Sequence, residues 1–103
     1  MENYIKPEDY IKPEDYNFTI YSKSGCANCT KIKNLLKEKN LTFNVVDCDD
    51  YILDDKINFL SFIKELSNRE ITSFPIVFYN KNIIGGYNET INFVDTLLCF
   101  DNI

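Results

Sequence analysis

Apolar positions recur along this chain in two rhythms, and each switch between them marks the edge of an element. Asn17–Ser22 carries Phe18, Ile20 and Tyr21 in a short run that reads as a first strand. Residues 27–39 then place Ile32, Leu35 and Leu36 at i, i+3 and i+4 with lysines elsewhere, which predicts a helix, and Asn40 is its stop. Leu41–Asp47, with Phe43, Val45 and Val46, reads as a second strand. Asp47, Asp49, Asp50, Asp54 and Asp55 crowd the next segment. They lack the glycine and closing glutamate of an EF-hand, so a solvated loop leading to a helix N-terminus is expected.

A second helix is predicted over residues 54–67, with Ile57, Leu60, Ile63 and Leu66 on one face. Pro75–Tyr79 is a third strand, Asn80-Lys81-Asn82 a tight turn, and Ile83–Gly86 a short fourth strand. Asn88 is the expected N-cap of a last helix, with Glu89 in its first turn and an end near residue 100. The order β-α-β-α-β-β-α makes this an α/β domain. Its first βαβ unit is parallel and right-handed, and its final hairpin antiparallel. One mixed four-stranded sheet flanked by three helices follows.

Ahead of the first strand, residues 4–9 and 10–15 are the same hexapeptide, Tyr-Ile-Lys-Pro-Glu-Asp, with another tyrosine at 16. Two copies are too few for a solenoid. Pro7 and Pro13 disfavour helix before them and remove N–H donors. Residues 1–16 are therefore read as an extended, exposed N-terminal tail, and 17–103 as the folded domain. A docking peptide that uses the tyrosines is the alternative for the tail.

With 103 residues the chain is one domain with one core. Its net charge of -5 argues against nucleic acid, which needs clustered lysine and arginine. The tail holds five acids against two lysines, so the folded part is near neutral. No apolar run approaches the roughly 20 residues needed to cross a bilayer. Met1-Glu2-Asn3 is acidic, without an apolar h-region, so a cytoplasmic location is expected and no membrane partner. In that compartment structural disulfides are rare.

The chemistry concentrates in Ser24-Gly25-Cys26-Ala27-Asn28-Cys29-Thr30, a C-x-x-C at a strand-to-helix junction. There the first sulfur meets the free N–H groups and the positive end of the helix, which favour its ionised form. Cys29 lies one turn on, on the same side, within reach for a disulfide with Cys26. The chain has no histidine, which removes Cys-His and Ser-His-Asp catalysis and the mixed zinc sites. A four-cysteine zinc site from residues 26, 29, 48 and 99 would lack the second close pair such sites bring. Cys48 and Cys99 are read as structural. Cys99 is taken as a small hydrophobe in an apolar helix end. At Cys48 neighbouring carboxylates disfavour the thiolate.

Three motifs in order carry a resemblance: Tyr21-Ser22-Lys23 leading into Cys26-x-x-Cys29, Thr72-Ser73-Phe74-Pro75, and Ile84-Gly85-Gly86-Tyr87-Asn88-Glu89. Over about residues 17–100 the chain resembles the thioredoxin fold, and glutaredoxins in particular. That resemblance implies a glutathione-dependent thiol–disulfide oxidoreductase acting as a monomer on disulfide-bearing or glutathionylated proteins, ribonucleotide reductase being one partner the family suggests. It makes Cys26 the nucleophile and Cys29 the resolving thiol. Pro75 becomes a cis-proline that holds the Phe74 backbone beside Cys26, where glutathione adds as an extended strand. Lys23 meets the glycyl carboxylate, with Arg69 as a possible second ligand. The N–H groups of Asn88 and Glu89 receive the γ-glutamyl carboxylate, the Glu89 side chain its amino group, and Gly85 and Gly86 admit the ligand closely.

The sequence departs from the family's pattern between the cysteines, where Ala27-Asn28 stands in place of Pro-Tyr. Without the tyrosine the groove lacks an aromatic wall, and without the proline the helix start is looser. Two other functions stay open. One is a [2Fe–2S] carrier, two chains bridging a cluster through Cys26 and two glutathiones. The other is a thioredoxin-like reductase that ignores glutathione.

Overall fold

The computed structural model describes residues 10–101, the last two by backbone alone, so the first hexapeptide copy lies outside the described residues. Seven elements follow in the expected order: β1 (Phe18–Ser22), α1 (Ala27–Glu38), β2 (Phe43–Asp47), α2 (Asp49–Ser67), β3 (Ile76–Tyr79), β4 (Asn82–Gly85) and α3 (Tyr87–Asp101). They form one four-stranded sheet of order β2-β1-β3-β4, β1 parallel to β2 and antiparallel to β3, with β4 antiparallel to β3. This is the mixed sheet with three helices of the thioredoxin-like fold.

β1 is buried at every position because both faces of the sheet are covered. Its alternation sends Phe18 and Ile20 to one side, where they pack with Ile32 and Leu36 of α1, Val77 of β3 and Val94 of α3. Tyr21 points to the other side, among Phe59, Phe62 and Ile63 of α2 and Ile76 and Phe78 of β3. Helices α1 and α3 thus cover one face and α2 the other. The end of β1 and the start of β3 meet beneath the start of α1.

Chain punctuation matches the residue types. α1 stops at Asn40, whose φ of 59° is the left-handed conformation that asparagine tolerates, and Leu41 N–H closes back on Leu36 C=O at 2.9 Å. Asn80 and Lys81 both have positive φ, as a two-residue hairpin turn between β3 and β4 demands.

Three expectations are corrected. α2 starts at Asp49, not 54, so the acidic segment is largely helical. Its acids stabilise that helix start by opposing the dipole. Asp55 is extended within it (φ -164°, ψ 87°), and its carboxylate accepts the Asn58 N–H at 3.1 Å, capping a second helical segment. Phe59, Phe62 and Ile63 form the core face of this second segment, and Ile57, about 200° round the helix from Phe59, is 79% exposed.

The second correction concerns residues 10–16, which do not stand free. Tyr10 is only 3% exposed and Pro13 is buried. Burying an aromatic ring contributes about 1.5–3 kcal/mol, enough to tie down a short polar segment. The third is Cys99, which is exposed on α3 rather than packed as a small hydrophobe.

Candidate active site

The sulfur of Cys26 is itself the N-cap of α1. Its backbone is extended (φ -102°, ψ 103°), and Sγ accepts the Cys29 N–H at 3.1 Å, the bond a serine or aspartate oxygen makes at most helix starts. No acidic residue sits in the first turn of α1, so nothing offsets the positive helix end there. Cys26 is half-buried and Cys29 is 1% exposed, and both are free thiols. One sulfur therefore faces solvent and one is held behind it. Burial pushes the Cys29 thiol up, helped by its hydrogen bond with Cys26, so Cys29 stays protonated until called on.

The loop ahead of Cys26 is held from α2. Asp49, the first residue of that helix, accepts the Ser24 N–H at 2.9 Å and also the Ser24 hydroxyl. These hydrogen bonds, with Lys23 nearby, hold the Asp49 carboxyl below the usual aspartate range. Gly25 then turns the chain with φ 72°. Its charge alone points Asp49 to a solvated loop, and nothing local in the sequence directs it at Ser24. Only the parallel pairing of β1 with β2, down to Ser22 opposite Asp47, brings them together.

On the far side of Cys26 the Phe74–Pro75 peptide is cis, as expected, and Pro75 is buried. The Phe74 carbonyl lies 3.7 Å from Cys26 Sγ. The Phe74 ring stacks on Phe59 at 6.3 Å with an interplanar angle of 6°, so α2 backs the segment that touches the nucleophile. Lys23 is exposed, with Nζ 5.7 Å from the centre of the same ring. Lys23, Phe74 and Pro75 are thus gathered around Cys26.

Gly85, Gly86 and Glu89 line a groove of about 290 Å³ with Arg69, Thr72 and Ser73. The start of α3 needs one correction: the helix begins at Tyr87, and Gly86 rather than Asn88 holds the cap position. Glu89 reaches back and accepts the Gly86 N–H at 3.0 Å, the acidic half of a capping box. Asn88 is exposed in the first turn.

Gly85 has φ 134°, a conformation costly to any other residue, and a Cβ there would sit 3.0 Å from Glu89 Cβ and Cγ. Gly85→Ala is expected to lower stability by about 1–3 kcal/mol and to displace Glu89 from the groove. Urea unfolding reads the first effect, and a changed amide shift at Gly86, whose N–H loses its Glu89 bond, reads the second.

Cys48 is buried at the end of β2, and its thiol is pushed up to about 12. Burial is the main cause; the carboxylates of Asp47 and Asp49 add to it, so the expected acidic neighbourhood is present but secondary. In the unfolded chain this thiol ionises near 9.0. Between those values the unfolded state is the one that loses its proton, so stability is complete below about pH 9 and falls as pH rises toward 12. Cys48→Ala should flatten that alkaline loss, on the order of 4 kcal/mol at most, in denaturation midpoints measured across the window. Among the described residues no group of three or more cysteines, aspartates and glutamates is gathered around a metal-sized centre.

A thioredoxin-like sheet that presents a half-buried cysteine as a helix cap, a buried second cysteine and a cis-proline opposite defines a paired-thiol member of this fold. The family model "Glutaredoxin" matches residues 18–84, and the chain belongs to the glutaredoxin family. It is 31% identical over 71 residues to bovine (Bos taurus) mitochondrial glutaredoxin-2, covering 69% of this chain and 43% of that protein. The chain thus spans less than half the length of that curated relative. Among solved structures it is similar to glutaredoxin 1 from Francisella tularensis, with a TM-score of 0.70, 26% identity, and 80% and 95% of the two chains covered. It also resembles the holo form of glutaredoxin C1 from Populus tremula x tremuloides (TM-score 0.62, 25% identity, 77% and 74% covered). A buckwheat glutaredoxin–glutathione complex shares the fold at TM-score 0.60 and 19% identity, with 73% and 64% covered. Family membership supports thiol–disulfide exchange as the chemistry of the Cys26–Cys29 pair.

Proposed function

We propose that the chain is a glutathione-dependent thiol–disulfide oxidoreductase that reduces glutathione mixed disulfides and protein disulfides. The observation that carries this reading is Cys26: a half-exposed sulfur that caps α1 and lies 3.7 Å from the Phe74 carbonyl. The groove between residues 69–73 and 85–89 supports glutathione as the partner, since it offers a cation at Arg69, a carboxylate at Glu89 and the N–H groups of a helix start. The buckwheat protein is a glutaredoxin solved with glutathione.

In the first half-reaction the Cys26 thiolate attacks the glutathione sulfur of a mixed disulfide. The bond to the protein sulfur breaks, that thiolate leaves and takes a proton, and Cys26 is glutathionylated. The thiolate of a second glutathione attacks the same glutathione sulfur, which releases oxidised glutathione and restores Cys26. The incoming glutathione takes the place of the protein thiol, so the disulfide passes from the protein to glutathione and no other reductant is needed. With a protein disulfide, Cys26 forms the mixed disulfide with the substrate. Cys29 then gives up its proton and attacks Cys26 Sγ, and the substrate leaves as a dithiol; two glutathiones in turn reduce the Cys26–Cys29 bond and leave as oxidised glutathione.

The tripeptide lies along the Phe74 backbone as an added strand. Lys23, with Arg69 as a second cation, attracts its glycyl carboxylate, and the N–H groups at Asn88 and Glu89 hold the γ-glutamyl carboxylate. Glu89, one oxygen of which is on Gly86 N–H, accepts the amino group with the other. Such chemistry suits the cytoplasm, where glutathione keeps thiols reduced.

A coupled assay on a glutathione mixed disulfide tests the reading. Turnover is expected with glutathione and its reductase. Turnover only with a flavoprotein that reduces the dithiol directly would make the chain a thioredoxin-like reductase and overturn it.

A further inference from the structure

The duplicated segment at the N-terminus is longer than a hexapeptide: residues 4–10 and 10–16 are both Tyr-Ile-Lys-Pro-Glu-Asp-Tyr, with Tyr10 shared. The second copy is seated on the domain by contacts spread along it. The Tyr10 ring packs on Tyr51 (4.9 Å), Phe62 (4.8 Å) and Phe59 (5.6 Å), and its hydroxyl accepts the Asn58 side-chain N–H at 2.9 Å. Tyr21 donates its hydroxyl to the Ile11 carbonyl at 2.6 Å, and Pro13 is buried. The Glu14 N–H bonds to Thr19 Oγ1 at 3.1 Å and the Tyr16 N–H to Asn80 Oδ1 at 2.8 Å.

Each of these contacts is made by a backbone group or by a side chain that the first copy repeats at the same place. Tyr4 matches Tyr10, Pro7 matches Pro13, and Tyr10 matches Tyr16. We infer that this surface is a binding site for the heptapeptide sequence itself, and that Tyr4–Tyr10 takes it whenever the second copy leaves, residues 11–16 looping out before β1. The exchange is an intramolecular register shift of six residues. Its one new cost is closing the six-residue bulge, which keeps the second copy in place in the natural chain. Loop entropy grows slowly with length, so this cost is smaller than leaving an aromatic seat empty. The shift also preserves the row of rings from the seat through Phe59 to Phe74, on which the face beside Cys26 rests. This inference stands apart from the redox reading.

Urea unfolding of four full-length chains tests it: the natural sequence, Tyr4→Ala, Tyr10→Ala, and Tyr4→Ala with Tyr10→Ala. Tyr4→Ala should match the natural chain. Tyr10→Ala should lose less than half the midpoint shift of the double variant, because Tyr4 fills the seat and the alanine falls where Tyr16 is 84% exposed. In the Tyr10→Ala spectrum the Asn58 side-chain amide should keep its natural chemical shift, and in the double variant lose it. Equal losses for Tyr10→Ala and the double variant, including failure of both to fold, overturn the proposal. A Tyr10→Ala midpoint that rises with protein concentration also overturns it, since the first copy would then be seated on a neighbouring chain.

Discussion

Cys26→Ser is expected to reduce turnover of both glutathione mixed disulfides and protein disulfides by about 10³-fold or more, to the rate of uncatalysed exchange. The reason is positional. Cys26 is the sulfur at the helix start that solvent reaches, and Cys29 is 1% exposed behind it and kept protonated by burial. No second thiol can take over attack at that place. Cys29→Ser should behave differently: deglutathionylation stays within a few-fold of the natural rate, because that route uses Cys26 and two glutathiones alone. Reduction of a protein disulfide should collapse, since the mixed disulfide on Cys26 loses its internal resolving thiol. Rates measured on the two substrate types separate the roles, and a Cys29→Ser variant that kept both activities would remove the dithiol route.

Phe59→Ala is the substitution expected to cost most stability, about 3–5 kcal/mol. Phe59 is fully buried and its ring meets those of Tyr10, Tyr21, Tyr51, Phe62 and Phe74. For a domain of this size that lowers Tm by at least about 10 °C. The loss should also reach the chemistry, because Phe59 backs the Phe74 segment whose carbonyl lies beside Cys26 Sγ. Below its Tm, Phe59→Ala should therefore exchange more slowly than an equally destabilising truncation on the other face of the sheet, Ile32→Ala. Equal activities for the two folded variants would mean that Phe59 serves the core only.

Where periodicity and punctuation agree, the sequence was a good guide. Ile32, Leu35 and Leu36 marked α1, Asn40 its end and Asn80-Lys81 the hairpin turn, because each acts through neighbours a few residues away. Cys26 and Cys29 were legible for the same reason: helix start, spacing and sulfur chemistry are local. What was missed lies in tertiary contact. Asp49 looked like one acid in a solvated run, yet β1–β2 pairing brings it to Ser24. Ile57 fitted a face drawn at every third residue, and the core face of that helix, Phe59, Phe62, Ile63 and Leu66, leaves it to solvent. Asn88 had the right chemistry for a cap, but Glu89 reaching back to Gly86 sets the helix start. Tyr10 sat between prolines in a polar stretch, and only the aromatic surface of α2 buries it.

The most direct measurement is where glutathione lands. Cys29→Ser, incubated with oxidised glutathione, should carry one glutathione on Cys26 by peptide mapping. Backbone amide shifts should change at Phe74, Gly85, Gly86, Asn88 and Glu89 and nowhere on the opposite end of the sheet. Glutathione found on the exposed Cys99 instead, or attached at Cys26 with those five amides unmoved, would contradict the account.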